Sequence, residues 1–273
     1  MGKVFISVKS IEQNDYKWID TRFSLQNAND GLEKYKELHL SDAVYWNLDD
    51  DLADMTKKEG RHPMVEKDAL TNLFRRSGLS LNDQIIVYDD GGSPFAARAW
   101  WLLKYAGFKN AFISLEGFSE MKEIGLSVDN AVPTPVESDV LPVWNEEIYA
   151  PRSFVEETVS GNTTSVLLDA RSEERYRGET EPLDPIAGRI PGALNLNWER
   201  LKEDGKFSMD STIKEAMLNV VDPAEEVTVY CGSGVTAAPL YAMLSHNGYN
   251  NVRLYVGSYS DWIAGEGAKV EKG

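Results

Sequence analysis

The sequence predicts an α/β protein with two tandem domains, each a small doubly wound, mostly parallel sheet flanked by helices. A chain of 273 residues is longer than most single domains and fits two of them. Short, continuous apolar runs alternate with helical patterns, which is typical of strands buried on both faces of a parallel sheet. The same series of segments occurs twice, which indicates a duplicated unit.

Three segments recur in the same order in the two halves. The first is an apolar run that ends in Asp20-Thr21-Arg22 and again in Asp169-Ala170-Arg171. The last is a β-rich run that is followed by Asp89 in one half and by Cys231 in the other. The duplication therefore places an aspartate and the single cysteine at equivalent positions.

The individual elements follow a strand–helix–strand order in both halves. The runs before Asp89 and Cys231 are apolar or β-branched throughout, and each is followed by a glycine-containing loop and a helical pattern. In chain order we predict strands at 85–88, 110–115, 227–230 and 251–255, and helices at 95–105 and 236–246.

The boundary between the domains is predicted where this pattern lapses. Residues 127–143 contain three prolines and show neither a helical nor a strand period. We therefore expect a first domain at 1–126, a linker at 127–143 and a second domain at 144–273.

Composition excludes several classes of function. The net charge of −16, with 44 acidic against 28 basic residues, disfavours nucleic-acid binding, which needs a basic face. No apolar run has the length of a signal peptide or a membrane span, so a cytoplasmic protein without a membrane partner is expected. A single cysteine excludes an internal disulfide, and the three histidines lack ligand spacing, so no metal and no nucleotide cofactor is expected.

Cys231 lies in a loop that can activate a thiol. It follows a predicted buried strand and precedes a predicted helix, in the order Cys231-Gly-Ser-Gly-Val-Thr-Ala237. Gly232 and Gly234 permit backbone conformations that turn amides inward, and the helix adds the positive end of its dipole. Such a cradle favours a thiolate and binds an anion. A lone cysteine is more often a small buried hydrophobe, but this position favours a functional one.

The loop CGSGVTA resembles the active-site loop of the 3-mercaptopyruvate sulfurtransferases. These enzymes are relatives of rhodanese, and the loop of rhodanese more typically reads CRKGVTA. The resemblance extends over nearly the whole chain. It includes DARSEERYRGETEP followed by GRIPGALN, the pair Trp100-Trp101, and the run from Leu254 to Tyr259 with Trp262. The chain is thus similar to tandem-domain rhodanese-family sulfurtransferases, with two rhodanese-like domains.

This resemblance implies that Cys231 takes a sulfur atom from a small anionic donor as a persulfide. A thiol acceptor, such as thioredoxin, or cyanide then collects the sulfur. Arg175 matches the arginine that binds the carboxylate or sulfonate of the donor, and it is the favoured second site residue. A charge on a solvated helix is the alternative reading. The persulfide charge is expected to be held by loop amides, those of Gly232, Ser233, Gly234, Val235, Thr236 and Ala237.

The same resemblance implies a proton-transfer array of Ser233, His62 and Asp49. Asp49 is one of three adjacent acids, a pattern equally typical of a solvated loop. Asp89, at the position of the cysteine, implies that the first domain is an inactive copy.

Two positions depart from the family pattern. Asp184 stands where the mercaptopyruvate enzymes have a second substrate-binding arginine, and a carboxylate there is expected to repel an anionic donor. Arg189 is a candidate to compensate. Whether either residue alters donor binding stays open at this point.

Alternative functions differ in what they require of the loop. A cysteine phosphatase needs an arginine at the position of Ala237, which argues against that reading. A redox-sensor thiol would need a partner cysteine, and a non-catalytic binding module remains a further alternative. Gly232 and Ser233 carry no charge, which favours the monoanionic mercaptopyruvate over dianionic thiosulfate, although both donors remain open.

Overall fold

The computed structural model describes residues 3–273, which form two compact units. The N-terminal unit comprises Lys3–Asp54 and Val65–Asn145, and the C-terminal unit comprises Met55–Met64 and Glu146–Gly273. The segment 55–64 therefore belongs to the C-terminal unit, although it interrupts the chain of the other one. The domain boundaries at 1–126, 127–143 and 144–273 stay a prediction.

The N-terminal unit contains a five-stranded sheet and four α-helices. Its strands are β1 Phe5–Ile6, β2 Lys17–Asp20, β3 His39–Leu40, β4 Val44–Tyr45, β5 Ile85–Tyr88, β6 Ala111–Ser114 and β7 Val128–Asp129. Its helices are α1 Asp30–Glu37, α2 Lys67–Arg76, α3 Phe95–Tyr105 and α4 Phe118–Glu123. The main sheet is parallel in the order β1-β6-β5-β2-β4, and β3 pairs with β7 in antiparallel fashion.

The C-terminal unit repeats this plan with four main strands. Its strands are β8 Val166–Asp169, β9 Leu194–Asn195, β10 Lys202–Glu203, β11 Lys206–Phe207, β12 Val227–Tyr230 and β13 Val252–Leu254. Its helices are α5 Arg152–Val159, α6 Glu173–Arg177, α7 Ser211–Leu218, α8 Ala237–His246 and α9 Ser258–Ala264. The main sheet is parallel in the order β13-β12-β8-β9, and β10 and β11 form an antiparallel hairpin.

The predicted α/β class and its central elements are confirmed. β5, β12 and α3 have the predicted bounds, and α8 begins one residue later than predicted. All four residues of β12 are buried, because the strand lies between two neighbours and has both faces covered. β6 and β13 are each shorter than their predicted runs, since their outer residues fall outside the paired ladder.

The repeated Asp-x-Arg segment forms the same buried ion pair in both units. Nη2 of Arg22 donates to Asp20 at 2.7 Å, and Nη2 of Arg171 donates to Asp169 at 2.7 Å. In each unit the same arginine nitrogen also donates to a backbone carbonyl, that of Leu38 or of Gly188. A buried carboxylate at a strand end needs such a partner, so these pairs serve the fold of each unit.

Each unit has its own apolar core beside its sheet. In the C-terminal unit a buried cluster consists of Ala150, Val155, Leu167, Ile190, Ala193, Tyr230, Tyr255, Tyr259 and Trp262. The corresponding cluster in the N-terminal unit consists of Val8, Trp18, Leu40, Ala43, Ile86, Tyr88, Phe118 and Met121. Within residues 3–273, no helix combines the length and the apolarity needed to cross a bilayer.

Candidate active site

Cys231 is held at the junction of a buried strand and a helix. It follows β12 directly, its side chain is 1% exposed, and its Sγ accepts a hydrogen bond from the amide of Gly234 at 3.1 Å. Gly234 has φ of 75°, and a Cβ there would collide with the backbone carbonyl of Val256. The loop therefore curls back on the sulfur only because this residue is glycine.

The first turn of α9 fixes the backbone of this loop. Oγ of Ser258 accepts from the amide of Cys231 at 3.1 Å and lies 4.0 Å from its Sγ. The amides of Tyr259 and Ser260 donate to the carbonyls of Cys231 and Gly232 at 3.0 and 2.9 Å. Ser258 and Ser260 were not singled out from the sequence, although they lie within or next to the Leu254 to Tyr259 run that carries part of the resemblance.

The loop presents amides that the protein itself does not use. Gly234 donates to the sulfur, whereas among the described residues no protein acceptor takes the amides of Gly232, Ser233, Val235, Thr236 or Ala237. α8 begins at Ala237 and adds the partial positive charge of its first turn. The surroundings of the sulfur therefore favour negative charge.

Ser233 and His62 come together in the C-terminal unit. Oγ of Ser233, a residue that is 6% exposed, lies 2.8 Å from Nδ1 of His62. The neighbouring segment is anchored, because the amide of Arg61 donates to Oγ of Ser260 at 3.1 Å. This pair can pass a proton between a hydroxyl and an imidazole.

Asp49 lies in the N-terminal unit, where its amide donates to Oδ1 of Asn47 at 2.8 Å. Partial burial, followed by the neighbouring charge of Asp50, raises the pKa of the Asp49 carboxyl. Its part in the array with Ser233 and His62 stays a prediction.

Arg175 is part of a chain of alternating charges rather than a solvated helix residue. Its Nε and Nη2 donate to Glu181 at 3.1 and 2.8 Å, and its Nη2 also lies 3.3 Å from Asp184. Glu181 in turn pairs with Nη1 of Arg171 at 3.1 Å. Although burial alone would raise it, the bonds from Arg175 hold the pKa of Glu181 below its ordinary value.

Arg61 ends this chain of charges. Its Nε and Nη2 each donate to Asp184 at 3.1 Å, and the Asp184 side chain is 2% exposed. From the sequence we expect the carboxylate of Asp184 to repel an anionic donor. In the structure that carboxylate pairs with Arg61 and Arg175, which compensate its negative charge. Arg189 instead pairs with Glu271 at 2.6 Å and with the carbonyl of Gly273 at 2.7 Å. The sequence signal for Arg61 was its position directly before His62.

Asp89 takes the place of the thiol in the N-terminal unit. Its carboxyl accepts from the amides of Gly91 at 2.8 Å and Ala96 at 3.1 Å. Burial raises the pKa of Asp89 to about 7. The equivalent loop of this unit thus closes on a carboxyl group instead of a sulfur.

Comparison with known proteins reveals clear similarity. The rhodanese-like domain family matches residues 8–124 and 154–265. The chain is 34% identical over 259 residues to the "Probable 3-mercaptopyruvate sulfurtransferase" of Pseudomonas aeruginosa, covering 93% of this chain and 91% of that one. It is 35% identical over 261 residues to the "Putative thiosulfate sulfurtransferase SseB" of Mycobacterium tuberculosis, covering 93% and 90%.

Among solved structures, the chain is similar to SseA from Escherichia coli, described as a 3-mercaptopyruvate sulfotransferase with the rhodanese fold. The TM-score is 0.80 with 27% sequence identity, and the match covers 95% of this chain and 100% of that one.

Proposed function

Because the chain belongs to the rhodanese-like family and is a sulfurtransferase, we propose that Cys231 is the residue that carries the sulfur. The observation that supports this most directly is the amide of Gly234 donating to Sγ of Cys231 at the start of α8. A thiol so placed is stabilised in its ionised form and can act as a nucleophile. The two donors considered are 3-mercaptopyruvate, which we favour, and thiosulfate.

In the first half-reaction the thiolate of Cys231 attacks the donor sulfur and an S–S bond forms. With mercaptopyruvate the C–S bond breaks, its electron pair goes to carbon, and the former thiol proton ends on that carbon as pyruvate is released. With thiosulfate the S–S bond of the donor breaks and sulfite leaves with the electron pair. In both cases the product on the enzyme is the persulfide Cys–S–S⁻.

The loop amides from Gly232 to Ala237 stabilise the terminal charge of the persulfide in this proposal. Preorganised backbone donors need no reorganisation when the charge moves from Sγ to the added sulfur. Arg175 binds the anionic end of the donor through guanidinium edges that Glu181 and Asp184 leave open.

Ser233 and His62 carry the proton to the departing carbon of mercaptopyruvate, and their 2.8 Å contact supports this role. Asp49 is the third member of the array by resemblance alone. Sulfite leaves thiosulfate as a stable anion, so the second donor needs no such proton.

In the second half-reaction a thiolate acceptor attacks the outer sulfur, and the electron pair of the breaking S–S bond returns to Cys231. Reduced thioredoxin and low-molecular-weight thiols are the proposed acceptors, and cyanide would give thiocyanate. The N-terminal unit, with Asp89 at the position of the cysteine, is proposed to be an inactive copy. A cytoplasmic location is proposed as well, to be tested by fractionation.

The test is the intact mass of the purified protein after incubation with 3-mercaptopyruvate or, separately, with thiosulfate. A gain of about 32 Da in the wild type but not in Cys231→Ser is expected, because one sulfur atom is added to one thiol. The donor that loads the protein faster is then the preferred one. No gain with either donor would contradict the proposal and favour a non-catalytic binding module.

A further inference from the structure

The guanidinium group of Arg61 lies directly against the loop that holds Cys231. A Cβ added at Gly232 would overlap Nη2 of Arg61 and would lie 3.2 Å from Nη2 of Arg175. Gly232 is therefore flanked by two guanidinium groups, and a side chain at this position would have to displace that of Arg61. Consecutive Cα atoms are about 3.8 Å apart, so a small donor whose sulfur touches Cys231 can reach both groups.

The position of Arg61 is fixed from two sides. Its amide donates to Oγ of Ser260, whose own amide donates to the carbonyl of Gly232. At the other end, Nε and Nη2 of the guanidinium are held by Asp184. One serine thus links the backbone of the cysteine loop to the backbone of the segment that carries Arg61. A side chain held in this way is preorganised for binding.

Each of the two arginines keeps one terminal nitrogen that the described residues do not use, and that of Arg175 lies 3.5 Å from a Cβ built at Gly232. Nε and Nη2 of Arg61 donate to Asp184, and Nε and Nη2 of Arg175 donate to Glu181. Within the described part of the chain, no protein atom bonds Nη1 of Arg61 or Nη1 of Arg175. The side chain of Arg61 is 31% exposed and that of Arg175 is 17% exposed, so a small solute can reach them. A charged guanidinium nitrogen with free N–H groups can donate a strong hydrogen bond to a carboxylate.

We propose that Arg61 is a donor-binding residue that, together with Arg175, holds the carboxylate of the sulfur donor. The inference rests on the proposed function, since it names a further binding residue of the same site. Asp184 then positions Arg61 and Arg175 side by side, although it stands where a cation was expected. The chain supplies its second cation from segment 55–64 instead.

The experiment uses alkylation of Cys231, which requires no sulfur transfer. Iodoacetate carries a carboxylate and iodoacetamide is neutral, and both give a thioether and iodide with the thiolate. The ratio of their rates is compared in the wild type, Arg61→Ala, Asp184→Asn and the double variant, with Arg253→Ala as matched control. Arg253 is 26% exposed and pairs with Glu226 away from the loop.

The expected result is a roughly 10- to 100-fold fall in the iodoacetate-to-iodoacetamide ratio in Arg61→Ala, with the iodoacetamide rate near that of the wild type. KM for mercaptopyruvate should rise by a similar factor with little change in kcat. The ratio should stay low in the double variant, because removing the charge of Asp184 does not replace the lost contact. Arg253→Ala should behave as the wild type.

An unchanged ratio in Arg61→Ala would overturn the inference. Recovery of the ratio in the double variant would also overturn it, since Arg61 would then act only by neutralising Asp184. If the wild type gains no sulfur from any donor while the alkylation ratio still depends on Arg61, the proposed function fails and the anion-binding role of Arg61 stands.

Discussion

Oγ of Ser233 lies 2.8 Å from Nδ1 of His62, although the two residues are 171 positions apart in the chain. Both belong to the C-terminal unit. A hydroxyl in the loop that begins at Cys231 is thereby joined to an imidazole that can supply or accept a proton. This contact leads directly to a difference between the two sulfur donors.

We expect Ser233→Ala and His62→Gln to lower kcat for mercaptopyruvate by about 100-fold, because the departing carbon needs a proton. Turnover of thiosulfate should change by only a few-fold, since sulfite leaves without one. Steady-state kinetics with both donors on the same preparations is the measurement, and thiosulfate serves as the internal control. Equal losses with the two donors would contradict proton transfer by this pair.

Gly234→Ala should damage both the fold and the loading of sulfur. A side chain at φ of 75° is strained, and its Cβ would also collide with the carbonyl of Val256. We expect a loss of about 1–3 kcal/mol in the free energy of unfolding and a marked loss of persulfide formation. Thermal unfolding and intact mass measure the two effects.

Gly205→Ala is the matched control for this variant. Gly205 has φ of 78°, and no atom lies within 4 Å of an added Cβ. It should show only the cost of the left-handed backbone, about 1 kcal/mol, with normal sulfur loading. If Gly234→Ala loads sulfur as readily as Gly205→Ala does, the amide of Gly234 is not important for the persulfide.

Asp89→Asn should change the pH dependence of stability. Burial raises the pKa of Asp89 from 3.8 to about 7, so between these values the folded protein keeps a proton that the unfolded chain has lost. Its contribution to stability therefore falls as pH rises through this window and is fully lost above about pH 7. The variant lacks this loss, so its stability relative to the wild type should increase from pH 5 to pH 8.

Urea unfolding at both pH values measures this trend, and each unit of pKa difference corresponds to about 1.4 kcal/mol. An asparagine offers only one oxygen to the amides of Gly91 and Ala96, which lowers stability equally at both pH values. The trend with pH is therefore the test. Asp90→Asn, at a neighbouring half-exposed residue, is the control; the same trend in that variant would assign the effect to net charge.

The central strands and helices were predictable because their patterns are local. The buried runs at β5 and β12 are continuous and apolar, and α3 carries a clear helical pattern. The position of Cys231 between β12 and α8 followed from the same patterns. Elements of two residues, such as β4 and β9, were not predicted, because so short a strand has no period to detect.

From the residues themselves the site was predictable only where one segment holds a complete signal, and the pairing of Ser233 with His62 was expected only from the family resemblance. The cysteine loop is such a segment, whereas the pairing of Arg61 with Asp184 joins residues 123 positions apart. In the sequence alone, Asp184 is a negative charge that is unfavourable for binding an anionic donor, because no residue near it in the chain indicates that Arg61 neutralises it. Ser258 was missed for a similar reason, because its bond to the amide of Cys231 depends on how α9 packs against the loop.

Segment 55–64 makes the two halves of the gene product dependent on each other. A fragment that starts after residue 145 would contain Cys231 but would lack Arg61 and His62, because both lie in the first half of the sequence. The first half of the sequence thus supplies a segment of the C-terminal unit. Deletion of the N-terminal half would therefore remove a side chain that contacts the cysteine loop.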